Sequence, residues 1–266
     1  MRPAQAPLLY FQHIPKTSGT TSLGYLKAMF GDSAVYDGGI WDNLIQRPLE
    51  DLRAFQVYWG HFLGLLDGYI GAPTIKVTLL RDPLDRTISH YLHVRRTEDH
   101  PLHAIACLQT LNEFVNDPRT RWMVENYQAR YLYLCDVDVR SLYRGFEAPV
   151  GVTGMFQQEV ESLPLPGLSE ARLFEVTSRR LKMFLMADSA ERCTPAMGDL
   201  AELLGRAVRA PVGRARQRPE DQKLPPLTRA LVRSIGRATE VDRALYELVR
   251  HTPIRNPAAA AALLPC

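Results

Sequence analysis

The chain has 266 residues, 46% of them hydrophobic, enough to bury the core of one α/β domain. A formal charge of +3 with a pI near 8.7 excludes the dense Lys/Arg face of a nucleic-acid-coating protein and fits a local basic pocket for an anionic ligand. Four scattered cysteines (Cys107, Cys135, Cys193, Cys266) without a CxxC pair exclude a zinc ribbon, and they read as reduced, structural thiols of a cytoplasmic protein.

Residues 1–7 leave no room for a leader or membrane anchor ahead of the first strand. No later apolar run reaches ~20 residues, so no membrane span is expected. Leu8, Leu9, Tyr10 and Phe11 form an apolar run of the length of a buried strand. Pro15, Lys16, Thr17, Ser18 and Gly19 break it, and from Thr20 a helical pattern follows with Leu23, Leu26 and Met29. A strand, a short loop and a helix in this order aim backbone N–H groups and a helix N-terminus at one point, where an anion is favoured. Lys16 adds a positive charge, and Thr17, Ser18, Thr20, Thr21 and Ser22 add short hydroxyl donors. The stretch reads as a phosphate cradle. It is not the common nucleotide loop G-x-x-x-x-G-K-[ST], because Lys16 precedes Gly19 and the upstream Gly is missing.

Residues 31–54 mix Gly, Asp and Trp41 and predict a loop and short helix. Phe55 to Trp59 predicts a strand ending in Gly60-His61-Phe62. An imidazole, with an ordinary pKa near 6.5, is the natural base for a hydroxyl proton near neutral pH. Thr74 to Leu80 is a third strand, ending in Arg81-Asp82-Pro83, with Asp82 suited to cap a helix and Pro83 to open it. Arg81 thus stands at the carboxyl end of a strand, where open parallel sheets bind ligands. With Ser89 two turns into the next helix, an arginine fork and a hydroxyl suit a second phosphate. His90, His93, His100 and His103 cluster at and beyond the end of that helix. His90 and His93 are spaced i, i+3, but no carboxylate or Cys completes a ligand set, so no metal is expected.

Leu108 to Leu134 reads as helical around Asp117-Pro118, and residues 136–170 as Gly- and Pro-rich loops or an inserted lid. Positions 171–180 predict a helix. Leu181 to Ala187 predicts a fourth buried strand, followed by Asp188 and a helix to Leu204. Val212 to Pro219 is a basic loop carrying Arg214, Arg216 and Arg218, bracketed by Gly and Pro. Residues 226–250 predict one or two amphipathic helices. One domain over 1–252 and a loose Ala-rich tail over 253–266 are expected.

The pair IPKTSGTTS and LLRDPLDRTISHY resembles the two cofactor signatures of sulfotransferases that use 3′-phosphoadenosine 5′-phosphosulfate (PAPS). The nearest branch is the carbohydrate O-sulfotransferases of the heparan sulfate 2-O-sulfotransferase type and their bacterial relatives. The resemblance implies a P-loop-like three-layer α/β fold with a central, mostly parallel sheet flanked by helices. It implies that Lys16, Thr17, Ser18, Gly19, Thr20 and Thr21 hold the 5′-phosphosulfate and that Arg81 and Ser89 hold the 3′-phosphate. In that family a Gly-His segment ahead of the Arg-Asp-Pro segment carries the catalytic base; here His61 precedes Arg81 by twenty residues. By the same resemblance Arg214, Arg216 and Arg218 are candidates to close over the adenine and 3′-phosphate, and His13 takes a position where relatives carry a basic or imidazole side chain near the acceptor. Asn126-Tyr127-Gln128-Ala129-Arg130 is similar to an N-x-Q-x-R segment on the acceptor side, which makes Arg130 a substrate contact. The expected activity is sulfuryl transfer to a hydroxylated acceptor, a saccharide or glycoconjugate, without metal or nucleic acid. Animal relatives carry an N-terminal anchor, so its absence here points to a soluble, bacterial-type enzyme. The alternative is a P-loop-type kinase or nucleotide-binding protein, and a kinase would require magnesium.

Overall fold

Alternation along the first strand decides the layering. Leu9 and Phe11 enter one apolar cluster and Tyr10 enters another, and all three are fully buried. A strand buried on both faces needs cover on both sides, the condition of a parallel sheet between helical layers. The computed structural model describes residues 7–147, 153–208, 226–261 and 263, and has this form. Its strands are β1 (Leu8–Gln12), β2 (Val35–Gly39), β3 (Val57–Gly60), β4 (Thr74–Leu80), β5 (Met186–Ser189) and β6 (Ile254–Arg255). They lie in the order β2-β3-β1-β4-β5-β6, with the first five parallel and β6 antiparallel to β5. The protein is therefore α/β, with a six-stranded, mostly parallel sheet flanked by helices.

Helices Gly19–Phe30 and Cys193–Leu203 cover one face through Leu26, Met29, Met197 and Leu200. Helices Tyr127–Tyr133, Glu170–Leu181 and Glu240–His251 cover the other through Tyr131, Leu173 and Leu245. A third apolar cluster joins helix Pro83–Val94 to helices His103–Leu108, Leu111–Asn116 and Arg229–Ala238. Among the described residues no helix is long and apolar enough to cross a membrane.

Several elements differ from the sequence reading. Residues 31–54 contain β2, whose Val-Tyr-Asp-Gly-Gly buries only its first two residues and so lacks a strand's usual pattern. The apolar run from Leu181 is not one strand: Leu181 ends a helix, and β5 begins only at Met186. Asp188 lies inside β5 rather than after it, fully buried, with its charge met by Arg255 Nη2 at 2.5 Å. Residues 136–170 include helices Val139–Arg144 and Met155–Ser162. The tail is not loose throughout: Ile254 and Arg255 close the sheet edge, and helix Pro257–Ala261 follows.

Candidate active site at the carboxyl edge of the sheet

Register places the site. Gln12 pairs with Gly60, so the next residues on two parallel strands, His13 and His61, emerge side by side with ring centroids 4.6 Å apart. Phe11 pairs with Val77, which brings Arg81 beside the loop that leaves β1. Arg81 Nη1 donates to the Lys16 carbonyl at 3.2 Å. Leu80 pairs with Ser189, and the Ser18 hydroxyl donates to the carbonyl of Ala190, just beyond β5, at 3.1 Å. The chain leaves β1 toward β2 on one side and later crosses from β3 to β4 on the other. Opposed crossovers of this kind mark the carboxyl ends of the strands as the place where open α/β sheets bind ligands.

The loop itself is unusual. Lys16 and Ser18 have φ of 74° and 64°, left-handed values, while Thr17 between them does not. Anion-binding nests use such an alternation of hand, although Thr17 N–H is itself donated to the Ile14 carbonyl at 3.3 Å. The helix that follows opens with no side-chain cap, because the Ser18 hydroxyl is turned to Ala190 instead. Gly19 is required by close approach: a Cβ there would lie 1.8 Å from His13 Nε2. Thr17 is fully buried, and its hydroxyl donates to the Ile14 carbonyl at 2.8 Å, so it braces the turn. Thr20 is exposed and Thr21 half-buried at the helix start.

His61 Nδ1 lies 2.7 Å from the His13 carbonyl. A carbonyl only accepts, so Nδ1 carries the hydrogen and Nε2 is left with the lone pair. Desolvation pushes the His61 pKa down to about 4, assisted by the Lys16 charge and opposed by the bond to His13. The ring is neutral at pH 7, in the tautomer a base needs. His13 is buried against Trp59 (centroids 4.8 Å apart, stacked) and Gly19, and its pKa is also held well below the ordinary value by burial, with lesser contributions from His61 and Lys16.

Two glutamines that the sequence reading did not single out hold this edge from behind. Gln157 donates to the His61 carbonyl at 2.8 Å and to Glu161 at 2.7 Å, and accepts from Trp41 N–H at 2.8 Å. Gln128 accepts from Arg81 N–H and donates to the Arg81 carbonyl, both at 2.9 Å. Their contacts to Arg81, His61 and Trp41 span 47, 96 and 116 residues of chain, so the sequence does not show these roles even though Gln128 falls within the N-x-Q-x-R segment.

Ser89 is half-buried on the helix after Arg81. Arg130 lies in the interior, with its guanidinium donating to the Leu163 carbonyl and its charge near Tyr127 and Glu161. In the same N-x-Q-x-R segment it is Gln128, not Arg130, that touches Arg81. Arg86, also in the Arg-Asp-Pro segment, is fully buried over the Tyr127 ring at 4.4 Å and donates to the Met123 carbonyl at 2.5 Å. Arg214, Arg216 and Arg218 lie outside the described residues. No protein-family model matches the chain, and no curated protein matches it.

Proposed function

We propose that the chain is a PAPS-dependent O-sulfotransferase of P-loop-like fold, acting on a hydroxyl group of a saccharide-type acceptor. The observation that carries this reading is the convergence at one sheet edge of a lysine-bearing loop, an arginine bonded to that loop's backbone, and a neutral histidine with a defined base nitrogen. Anion donors on two adjoining elements, the loop after β1 and the segment after β4, suit a ligand that carries two phosphate groups. A first strand at the centre of a parallel sheet, followed directly by a loop and a helix, supports the P-loop-like identity.

In this reading the amides at the start of helix Gly19–Phe30, Lys16, Thr20 and Thr21 hold the 5′-phosphosulfate. Arg81 and Ser89 take the 3′-phosphate. Arg81 spends one guanidinium N–H on Lys16 O and keeps the rest of its fork for an anion. The co-substrate supplies the sulfuryl group. His61 Nε2 accepts the proton of the acceptor hydroxyl as its oxygen attacks sulfur and the sulfur–oxygen bond to the phosphate breaks. Lys16 and the loop amides stabilise the charge gathering on the departing phosphate, so positioning and electrostatics provide most of the rate. The test is calorimetry with 3′-phosphoadenosine 5′-phosphate against ATP, with and without magnesium, followed by acceptor screening with labelled PAPS. Magnesium-independent binding that favours the bisphosphate is expected. Preference for magnesium-ATP would replace this reading with a kinase.

A further inference from the structure

Arg81 lies one residue past the end of β4, where the sheet ladder no longer fixes the backbone. Its guanidinium sits at the tip of a long stem, so a small backbone rotation moves it far. The backbone is instead gripped by one planar group. The fully buried side-chain amide of Gln128 accepts from Arg81 N–H and donates to Arg81 C=O, each at 2.9 Å.

Gln128 is fixed in turn. Its own N–H and that of Ala129 donate to the two carboxylate oxygens of Asp242, at 2.9 and 2.7 Å. Asn126 Oδ1 accepts from Val241 N–H at 3.0 Å and Asp242 N–H at 3.4 Å. Helices Tyr127–Tyr133 and Glu240–His251 therefore cap each other, through Asn126 and Asp242 that are themselves buried. A chain of hydrogen bonds runs from this double cap through Gln128 to Arg81 and on to the Lys16 carbonyl.

We propose that Gln128 is a positioning residue that sets the Arg81 guanidinium against the phosphate loop, transmitting the fixed spacing of the capped helix pair to the ligand pocket. The proposal rests on the reading of Arg81 as the 3′-phosphate ligand. It assigns to Gln128 a discrimination between adenosine nucleotides with and without that phosphate.

The experiment measures dissociation constants of 3′-phosphoadenosine 5′-phosphate and adenosine 5′-phosphate, and their ratio, in the wild-type chain and in Gln128→Met. Methionine keeps the shape and removes both hydrogen bonds. Preference for the bisphosphate is expected to fall by about tenfold (about 1.4 kcal/mol) in Gln128→Met, while the monophosphate binds nearly as before. General loss of folded protein weakens both ligands alike and leaves the ratio unmoved. In Gln128→Glu, which keeps the acceptor for Arg81 N–H, a smaller fall is expected; this variant decides the matter if Gln128→Met does not fold. A discriminating wild type whose ratio is unchanged in the folded variant overturns the proposal. A wild type that does not discriminate overturns the cofactor reading of Arg81 itself.

Discussion

Neighbouring carbonyl and imidazole groups set the chemistry of His61 before any ligand arrives. The 2.7 Å contact to the His13 carbonyl commits Nδ1 as a donor, and burial holds the ring neutral well below its ordinary titration range. His61→Ala is expected to lose about 10²–10⁴-fold in turnover while still binding 3′-phosphoadenosine 5′-phosphate. Lost nucleotide binding in that variant would remove the base role. The free-enzyme pH profile of kcat/KM should fall on its acid side near pH 4 rather than near 6.5, because protonation of Nε2 abolishes its lone pair. An acid limb near 6.5 would mean a different group, or a ring that is not desolvated. That a histidine stands at the carboxyl end of β3 was legible, because Gly60-His61 directly follows the apolar run of that strand. Its tautomer was not, since the group that fixes it lies 48 residues away.

Elements whose termini carry their own chemistry were the readable ones. Asp82 accepts from Leu84 and Asp85 N–H groups and Pro83 opens the helix, as Arg81-Asp82-Pro83 predicts. β4 spans Thr74–Leu80, the β-branched run itself. Legibility failed where burial of a polar residue is balanced by a distant partner. β5 carries Asp188 in its interior, an unreasonable strand residue until Arg255 is seen bound to it at 2.5 Å and to Asp199 at 2.6 Å. Arg255→Ala should therefore destabilise the fold by about 3 kcal/mol, the cost of leaving a buried carboxylate with only the half-exposed Arg192, at 4.0 Å, as counter-charge, read from urea unfolding. A loss below 1 kcal/mol would show that β6 is an ornament on the sheet edge rather than its clasp. β2 went unread for the opposite reason: its Gly pair and exposed Asp37 carry no strand signal, and it is held by pairing with β3.

Across the whole molecule, five histidines share one tendency. His13 and His90 are held well below the ordinary range, and His61, His93 and His100 are pushed down to about 4, in each case chiefly by burial. The unfolded chain takes up these protons from about pH 6.5 downward; in the folded chain His61, His93 and His100 wait until about pH 4, and His13 and His90 are likewise delayed. Their contribution to stability is thus full above about pH 6.5 and is lost as pH falls. Two carboxyls oppose it: Asp242, raised to about 6, and Glu161, also raised, both by burial, take up protons at a higher pH in the fold than in the open chain. With five groups against two and about 1.4 kcal/mol per proton per pH unit, the urea midpoint should drop steadily between pH 6.5 and 4.5. A flat midpoint across that window would show these rings to be solvated in solution. The sheet order belongs to this scale too. The sequence offered strands and helices in alternation, which predicts a parallel sheet, but only long-range pairing places β3 between β1 and β2 and so sets His61 next to the loop.

Lys16 and Ser18 take backbone conformations that side-chain-bearing residues ordinarily avoid. Such a residue costs on the order of 1–3 kcal/mol, and glycine would relieve it. Ser18→Gly should give a tougher protein that is slower at its work: the unfolding free energy rises by about 1 kcal/mol, while the loop, no longer tied to Ala190, drifts from the shape that receives the ligand. A chain that keeps two side-chain-bearing residues where glycines would rest more easily behaves like a drawn bow, trading durability for readiness.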